Sequence, residues 1–305
     1  MFCLFIHLVS FFTLSSHASS IPLFEKQNPS LILPGYDESV NHSPAFYIWQ
    51  NDPGLSEFYS KTFPDGSGTT DLCIPSSLSN ILLYEYSQKK PFITNLKLPG
   101  ISEDQKYIDG SKLVKGFLSN CDLTKTENIT PLSASSCLLK FYHEAGYQNA
   151  KVKLIRNFGP VESNDGVEYI DRIPTIADLH QALKDGYEVS AAIAFMKWDA
   201  PSKTWIKTGS HAFNVFGYSA NTADQDQKII IYLSNPTRNY AVNFKDPISE
   251  IASLEVNSTL ESMPSPYSNI EVKQISGRLL NFEGKTTFLA GLILAKPIPD
   301  QINNH

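Results

Sequence analysis

Residues 73–83 read CIPSSLSNILL, and residues 209–218 read GSHAFNVFGY. The first stretch reads as the entry to a helix. Pro75 stands early, where a missing N–H costs little, and Leu78, Ile81, Leu82 and Tyr86 follow at helical spacing. Cys73 therefore falls at a helix N-terminus. The second stretch reads as a buried strand that begins, after the turn Thr208-Gly209-Ser210, with His211. The next apolar run, Lys228 to Leu233, is a strand joined to it as a hairpin through the loop Asn221 to Gln227, and it delivers Asn235 just past its end.

Working outward, a second helix is expected from near Pro131 to Ala145, stopped by Gly146. A third is expected from Ile176 to Asp185, capped by Thr175 and ended by Gly186. Strands follow at Val189 to Phe195 and Ala212 to Tyr218, with Trp198 to Ile206 as a turn and return. Two more are read at Ile270 to Ile275 and Thr286 to Leu294. Helices first and an antiparallel sheet after is an α+β plan rather than an alternating βαβ one.

The N-terminus predicts export. Residues 2–14 (FCLFIHLVSFFTL) are almost wholly apolar and lead into small residues, the pattern of a cleavable signal peptide over 1–18 with the cut after Ala18. The expected location is secreted or periplasmic. Removing 18 of 305 residues leaves 287, enough for one large domain or two small ones. Residues 19–57, rich in Pro, Asn and Ser, read as an irregular arm with one or two edge strands. Residues 58–247 form the main domain, and 248–305 add strands that complete or extend it. No second long apolar run predicts a permanent membrane anchor. A net charge of −6 without basic clusters argues against nucleic acid as a partner.

Three cysteines outlast the signal peptide. An oxidising compartment favours a bridge between Cys121 and Cys137, which enclose fifteen residues. Cys73 is then the odd one, a reactive thiol or one half of an intermolecular bridge, with a buried inert thiol as the plainer alternative. The macrodipole at a helix N-terminus favours a thiolate. A thiolate needs a proton carrier, and histidine titrates in the right range. Of seven histidines, His211 is the candidate, since it opens a strand whose hairpin neighbour ends at Asn235. That asparagine can orient the imidazole through its amide oxygen. His211 lies 138 positions after Cys73, and Asn235 lies 24 after His211. Nothing in the chain has metal-ligand spacing such as CxxC or HExxH, nor a glycine-rich phosphate loop, so no cofactor or metal is expected.

The order Cys, His, Asn is that of papain-like enzymes, and four blocks carry a more specific resemblance. CIPSSLSNILL resembles the Cys-Gly-Pro-Thr/Ser helix of the bacteriocin-processing (double-glycine leader) group of papain-like cysteine peptidases. GSHAFNVFGY resembles their Gly-His-Ala strand, and YLSNP (residues 232–236) their Asp/Asn-Pro strand end. TIADLHQALKDGYEVSAAIAF (residues 175–195) resembles the helix–Gly–strand before the His strand. Together the blocks cover roughly residues 58–247. The resemblance implies a papain-like fold in which an N-terminal helical part carrying the Cys helix packs on a C-terminal antiparallel sheet. It also implies Cys73 as nucleophile, His211 as base and acid, Asn235 as orienter, and a peptide or protein substrate.

The chain departs from that group at two places. Ile74 stands where the group has Gly, beside the position of the substrate carbonyl. No Gln lies between Pro53 and Cys73, although the group uses one as an oxyanion donor. Ser60, Lys61, Thr69 and Thr70 are the substitutes at hand, with the Cys73 N–H as the second donor. The leading expectation is an exported thiol hydrolase that cleaves peptide or amide bonds through an acyl-enzyme. The alternatives are a catalytically weakened domain that binds a peptide or protein, and an acyl transferase or amidase on the same fold.

Overall fold

A computed structural model describes residues 20–22, 38–41, 48, 54–55, 59–60, 69–70, 72–87, 98–101, 107–123, 129–159, 166–235, 250–258, 267–276 and 285–298. The signal peptide read over 1–18 lies outside them. The architecture is α+β. Strands β1 (Ser20–Pro22), β2 (Glu38–Asn41), β3 (Tyr59–Ser60) and β4 (Thr69–Thr70) precede helix α1 (Cys73–Ser87). Then come β5 (Tyr107–Asp109), α2 (Gly110–Asn120), α3 (Pro131–Glu144), β6 (Lys151–Ile155), β7 (Glu168–Ile170) and α4 (Ile176–Lys184). The chain continues as β8 (Glu188–Asp199), β9 (Thr204–Ala220), β10 (Lys228–Ser234), β11 (Glu250–Val256), β12 (Ile270–Ser276) and β13 (Thr286–Lys296).

Local chemistry accounts for the helix ends. Thr130 and Ser133 form a reciprocal capping box at the start of α3, with Pro131 in the first turn. Thr175 and Asp178 do the same for α4, and Arg172 holds Asp178 at 2.6 Å. Gly146 and Gly186 follow α3 and α4 with φ of +92° and +75°, a conformation that costs glycine nothing. The three helices read in the sequence are joined by a fourth, α2. It opens on Gly110 and carries Gly116, so its intrinsic propensity is poor. Burial of Leu113, Val114, Phe117 and Leu118, and the Asp109 cap on the Lys112 N–H, hold it instead. Gly116 is required by close approach, since a Cβ there would stand 2.2 Å from Pro99 Cγ.

Strands β8 to β13 form a ring. β8, β9, β10, β11 and β12 pair antiparallel in sequence order. β13 then pairs with β8 along most of its length and meets β12 at Glu271 opposite Phe288. The C-terminal strands thus belong to the same sheet as β8–β10. Its interior is filled by Ile193, Phe213, Val215, Ile231, Leu254, Val272, Leu289 and Leu292, and α4 packs Ile176, Leu179 and Leu183 into the same core. β6 adds to the other half of β13, and β7 pairs with β6 in parallel, the one departure from an antiparallel plan among the described pairings. β2, from the N-terminal arm, pairs with Gly217–Ala220 of β9 where β8 no longer reaches.

A second core lies among α1, α2, α3 and β6. The Cys121–Cys137 disulfide ties the C-terminal end of α2 to the middle of α3 there, with Cα atoms 5.6 Å apart. Phe117 stacks on Phe141 beside it, centroids 5.5 Å apart. No helix among the described residues is long and apolar enough to cross a membrane.

Candidate active site

The site begins where α1 begins. The Ser76 N–H donates to the Leu72 carbonyl at 2.9 Å, which makes Cys73 and Ile74 the first two helical residues. N–H groups there lie outside the intrahelical ladder and point along the axis, where they favour negative charge. Cys73 is half-buried and outside any disulfide. Leu72 is wholly buried beneath it, and Leu78 and Leu82 anchor the following turns.

Polar contacts fix this helix against the β8–β9 pair. Asn214 Nδ2 donates to the Ser77 carbonyl at 3.0 Å, and the Ser77 and Ser190 hydroxyls meet at 2.8 Å. Ser190 and Asn214 are direct partners across β8 and β9. A single cross-strand pair therefore grips α1 one turn after Cys73. From the other side, the Ile48 N–H donates to Asn80 Oδ1 at 2.8 Å and pins the N-terminal arm to the helix.

His211 sits opposite Ile193 in the same β8–β9 ladder; it does not open its strand, because the hairpin pairing with β8 extends back to Thr204 opposite Asp199. On β10, Ser234 faces Asn214. One further step sets Asn235 across from Phe213, diagonal to His211 and on the same face of the sheet. The side chains meet there, with His211 Nε2 2.8 Å from Asn235 Oδ1, both residues buried. The amide oxygen accepts, so Nε2 carries the proton and Nδ1 keeps the lone pair. Burial pushes the imidazole pKa down to about 4, and the Asn235 bond opposes that shift. Near neutral pH, His211 is thus an uncharged base, oriented through one nitrogen.

Cys73 and His211 line one cavity of about 100 Å³. Ile74 lines it too, half-buried and packed against the helical core. A thiol at a helix N-terminus and a neutral, oriented imidazole thus line one cavity. An imidazole with a free Nδ1 can take the proton of a thiol that comes within hydrogen-bond reach and return it to a departing group.

The oxyanion candidates divide. Ser60 and Thr69 are backbone partners in the short β3–β4 ladder, with Thr70 opposite Tyr59, in the segment that leads into α1. Lys61 lies outside the described residues. Other cavity residues are not singled out by the sequence. Arg156 and Phe158 follow β6, Lys207 is on β9, Tyr267 precedes β12, and Ala290 and Gly291 are on β13. No local motif marks any of them, since sheet closure alone gathers them. Among the described residues no group of three or more His, Cys, Asp or Glu is placed to hold a metal ion. No protein-family model matches the chain, and no curated protein sequence matches it.

Proposed function

We propose that this chain is an exported thiol hydrolase of papain-like fold that cleaves peptide or amide bonds through an acyl-enzyme on Cys73. The observation that carries the reading is the His211 Nε2 to Asn235 Oδ1 hydrogen bond at 2.8 Å, formed beside a cavity that Cys73 also lines. In the proposed reaction, His211 Nδ1 takes the thiol proton as sulfur attacks the carbonyl carbon. The resulting oxyanion forms at the N-terminus of α1. The imidazolium then gives its proton to the leaving amine, and water attacks the thioester with His211 again as base. Asn235 holds the ring throughout. The Cys121–Cys137 disulfide fits the oxidising compartment that the signal peptide implies.

One observation favours a second reading. Ile74 puts a branched side chain on the cavity wall beside Cys73, which narrows access to the sulfur and suits a domain that holds a peptide without cutting it.

The test is alkylation of the folded, non-reduced protein by iodoacetamide between pH 4 and 9, read at Cys73 by mass spectrometry, beside His211→Ala. An unassisted thiol labels mainly above about pH 8. The expected result is labelling at pH 6 that the variant slows at least about tenfold, together with cleavage of a peptide library that Cys73→Ala abolishes. Labelling only after unfolding overturns the thiol-hydrolase reading. Labelling without any cleavage leaves the binding domain.

A further inference from the structure

Among the described residues, the cavity at Cys73 is lined by two cationic side chains, Arg156 and Lys207, and by no acidic one. That imbalance stands out in a chain whose net charge is −6. Other cations of the fold have carboxylate partners: Lys153 meets Glu168 at 3.0 Å, and Arg172 meets Asp178. Among the described residues no carboxylate bonds to Arg156.

Arg156 is nonetheless held in place. Its backbone N–H donates to the Ile170 carbonyl at 3.2 Å, just past the end of β6. Its guanidinium carbon lies 3.5 Å from the centroid of the Phe158 ring, and Phe158 meets Tyr267 edge-on at 6.3 Å. A guanidinium stacked on a ring keeps its N–H groups in its own plane, directed away from the ring and able to grip a carboxylate with two parallel bonds. The side chain is half-buried, so its charge has lost part of its hydration and gains from an anion that replaces it. The cavity walls include Ala192, Ala194, Ala290 and Gly291, and a Cβ added at Gly291 would stand 3.6 Å from Arg156 Cβ. A cavity of about 100 Å³ with such small residues takes a short group rather than an aromatic one.

We propose that the Cys73 site selects acyl substrates bearing a carboxylate on a short stem, bound by Arg156 with Lys207 adding positive charge at the rim. The inference rests on Cys73 being the nucleophile. The carboxylate comes either from an acidic side chain of a peptide or from a free chain end, and the experiment separates the two.

Iodoacetate and iodoacetamide differ by a carboxylate against an amide. Each alkylates Cys73 in the same way: sulfur forms the bond to the methylene carbon, iodide leaves, and the thiol proton passes to His211 or water. The quantity read is the rate ratio, iodoacetate over iodoacetamide, in the folded chain at pH 7, relative to the same ratio in urea. The expected ratio is at least about tenfold above that in urea and decreases with added salt. Arg156→Gln is expected to lower it at least about fivefold, with Arg156→Lys intermediate because a point charge lacks the planar fork. Protection of Cys73 by N-acetylglutamic α,γ-variants identifies the source. Protection by the α-amide with a free side-chain carboxylate assigns an acidic side chain, and protection by N-acetylalanine but not its amide assigns a chain end. A ratio equal to that in urea, or one that Arg156→Gln leaves unchanged, overturns the carboxylate inference while the thiol reading stands. Failure of both reagents to reach Cys73 in the folded chain overturns both.

Discussion

His211, within β9, and Asn235, the residue after the antiparallel strand β10, meet through Nε2 and Oδ1 at 2.8 Å, and both are almost wholly buried. The bond leaves only Nδ1 to act as a base, which is how a single amide assigns a direction to the ring. Asn235→Ala is expected to leave a buried N–H unsatisfied at a cost of about 1–3 kcal/mol. It should also slow alkylation of Cys73 at pH 6 by roughly tenfold or more. Asn235→Asp should instead move the His211 titration upward, because a carboxylate favours the imidazolium. Two-dimensional NMR of the imidazole across pH checks both variants; an unshifted titration in Asn235→Asp counts against the bond.

The low pKa of His211 fixes the sign of a stability change. In the folded chain the imidazole takes a proton only near pH 4, whereas an unfolded histidine does so near 6.5. Between those values the unfolded chain binds more protons, so stability falls as pH drops from about 6.5 towards 4 and is unaffected by this group above that window. The largest loss is about 3 kcal/mol. Urea midpoints at pH 7.5, 6 and 5 for the wild type and His211→Gln measure it. The variant should show a shallower decline, and parallel declines would show that His211 is not buried in neutral form.

The disulfide makes a separate prediction. Cys121 and Cys137 are 16 positions apart and bridge α2 to α3 within the helical core. Closing a loop of that size stabilises by about 3 kcal/mol. Cys121→Ala should therefore lower the thermal midpoint by several degrees while the rate of Cys73 labelling in the folded protein holds, since the bridge lies away from the cavity. Calorimetry together with labelling distinguishes this from a disulfide that also shapes the site.

The grip of Ser190 and Asn214 on α1 is open to a double-mutant cycle. Ser77→Ala strands the Ser190 hydroxyl in a buried place, and Ser190→Ala strands that of Ser77. Each single change is expected to cost about 1 kcal/mol or more, with the double variant no worse than either, because two apolar groups replace the pair. Asn214→Ala should act more strongly on Cys73 labelling than on stability, since it loosens the helix from the strand that bears His211. Additive energies for the serine pair would mean the hydroxyls do not interact.

Much of this fold is legible locally. Thr130, Pro131 and Thr175 mark the starts of α3 and α4, and alternation and apolar runs mark β8, β9 and β10. α2 is harder to read because Gly110 and Gly116 weaken its propensity, and its position depends on Pro99 packing against Gly116. β11 reads EIASLEV, a composition that suits a helix as well as a strand, and pairing with β10 and β12 decides for the strand. β6 is a five-residue run whose place is set by β13, far away in the chain.

The sequence by itself determined that Cys73 opens a helix and that His211 lies on a strand whose hairpin neighbour delivers Asn235 just past its end, because caps, periodicity and turn residues act over a few positions. Only the tertiary structure decided that His211 and Asn235 bond, that burial holds the imidazole neutral, and that Arg156 reaches the cavity of Cys73. Those outcomes depend on strand register and ring closure between β8 and β13. Such closure joins residues far apart in the chain, and the energy that sets it is spread over the whole core rather than written in any one segment.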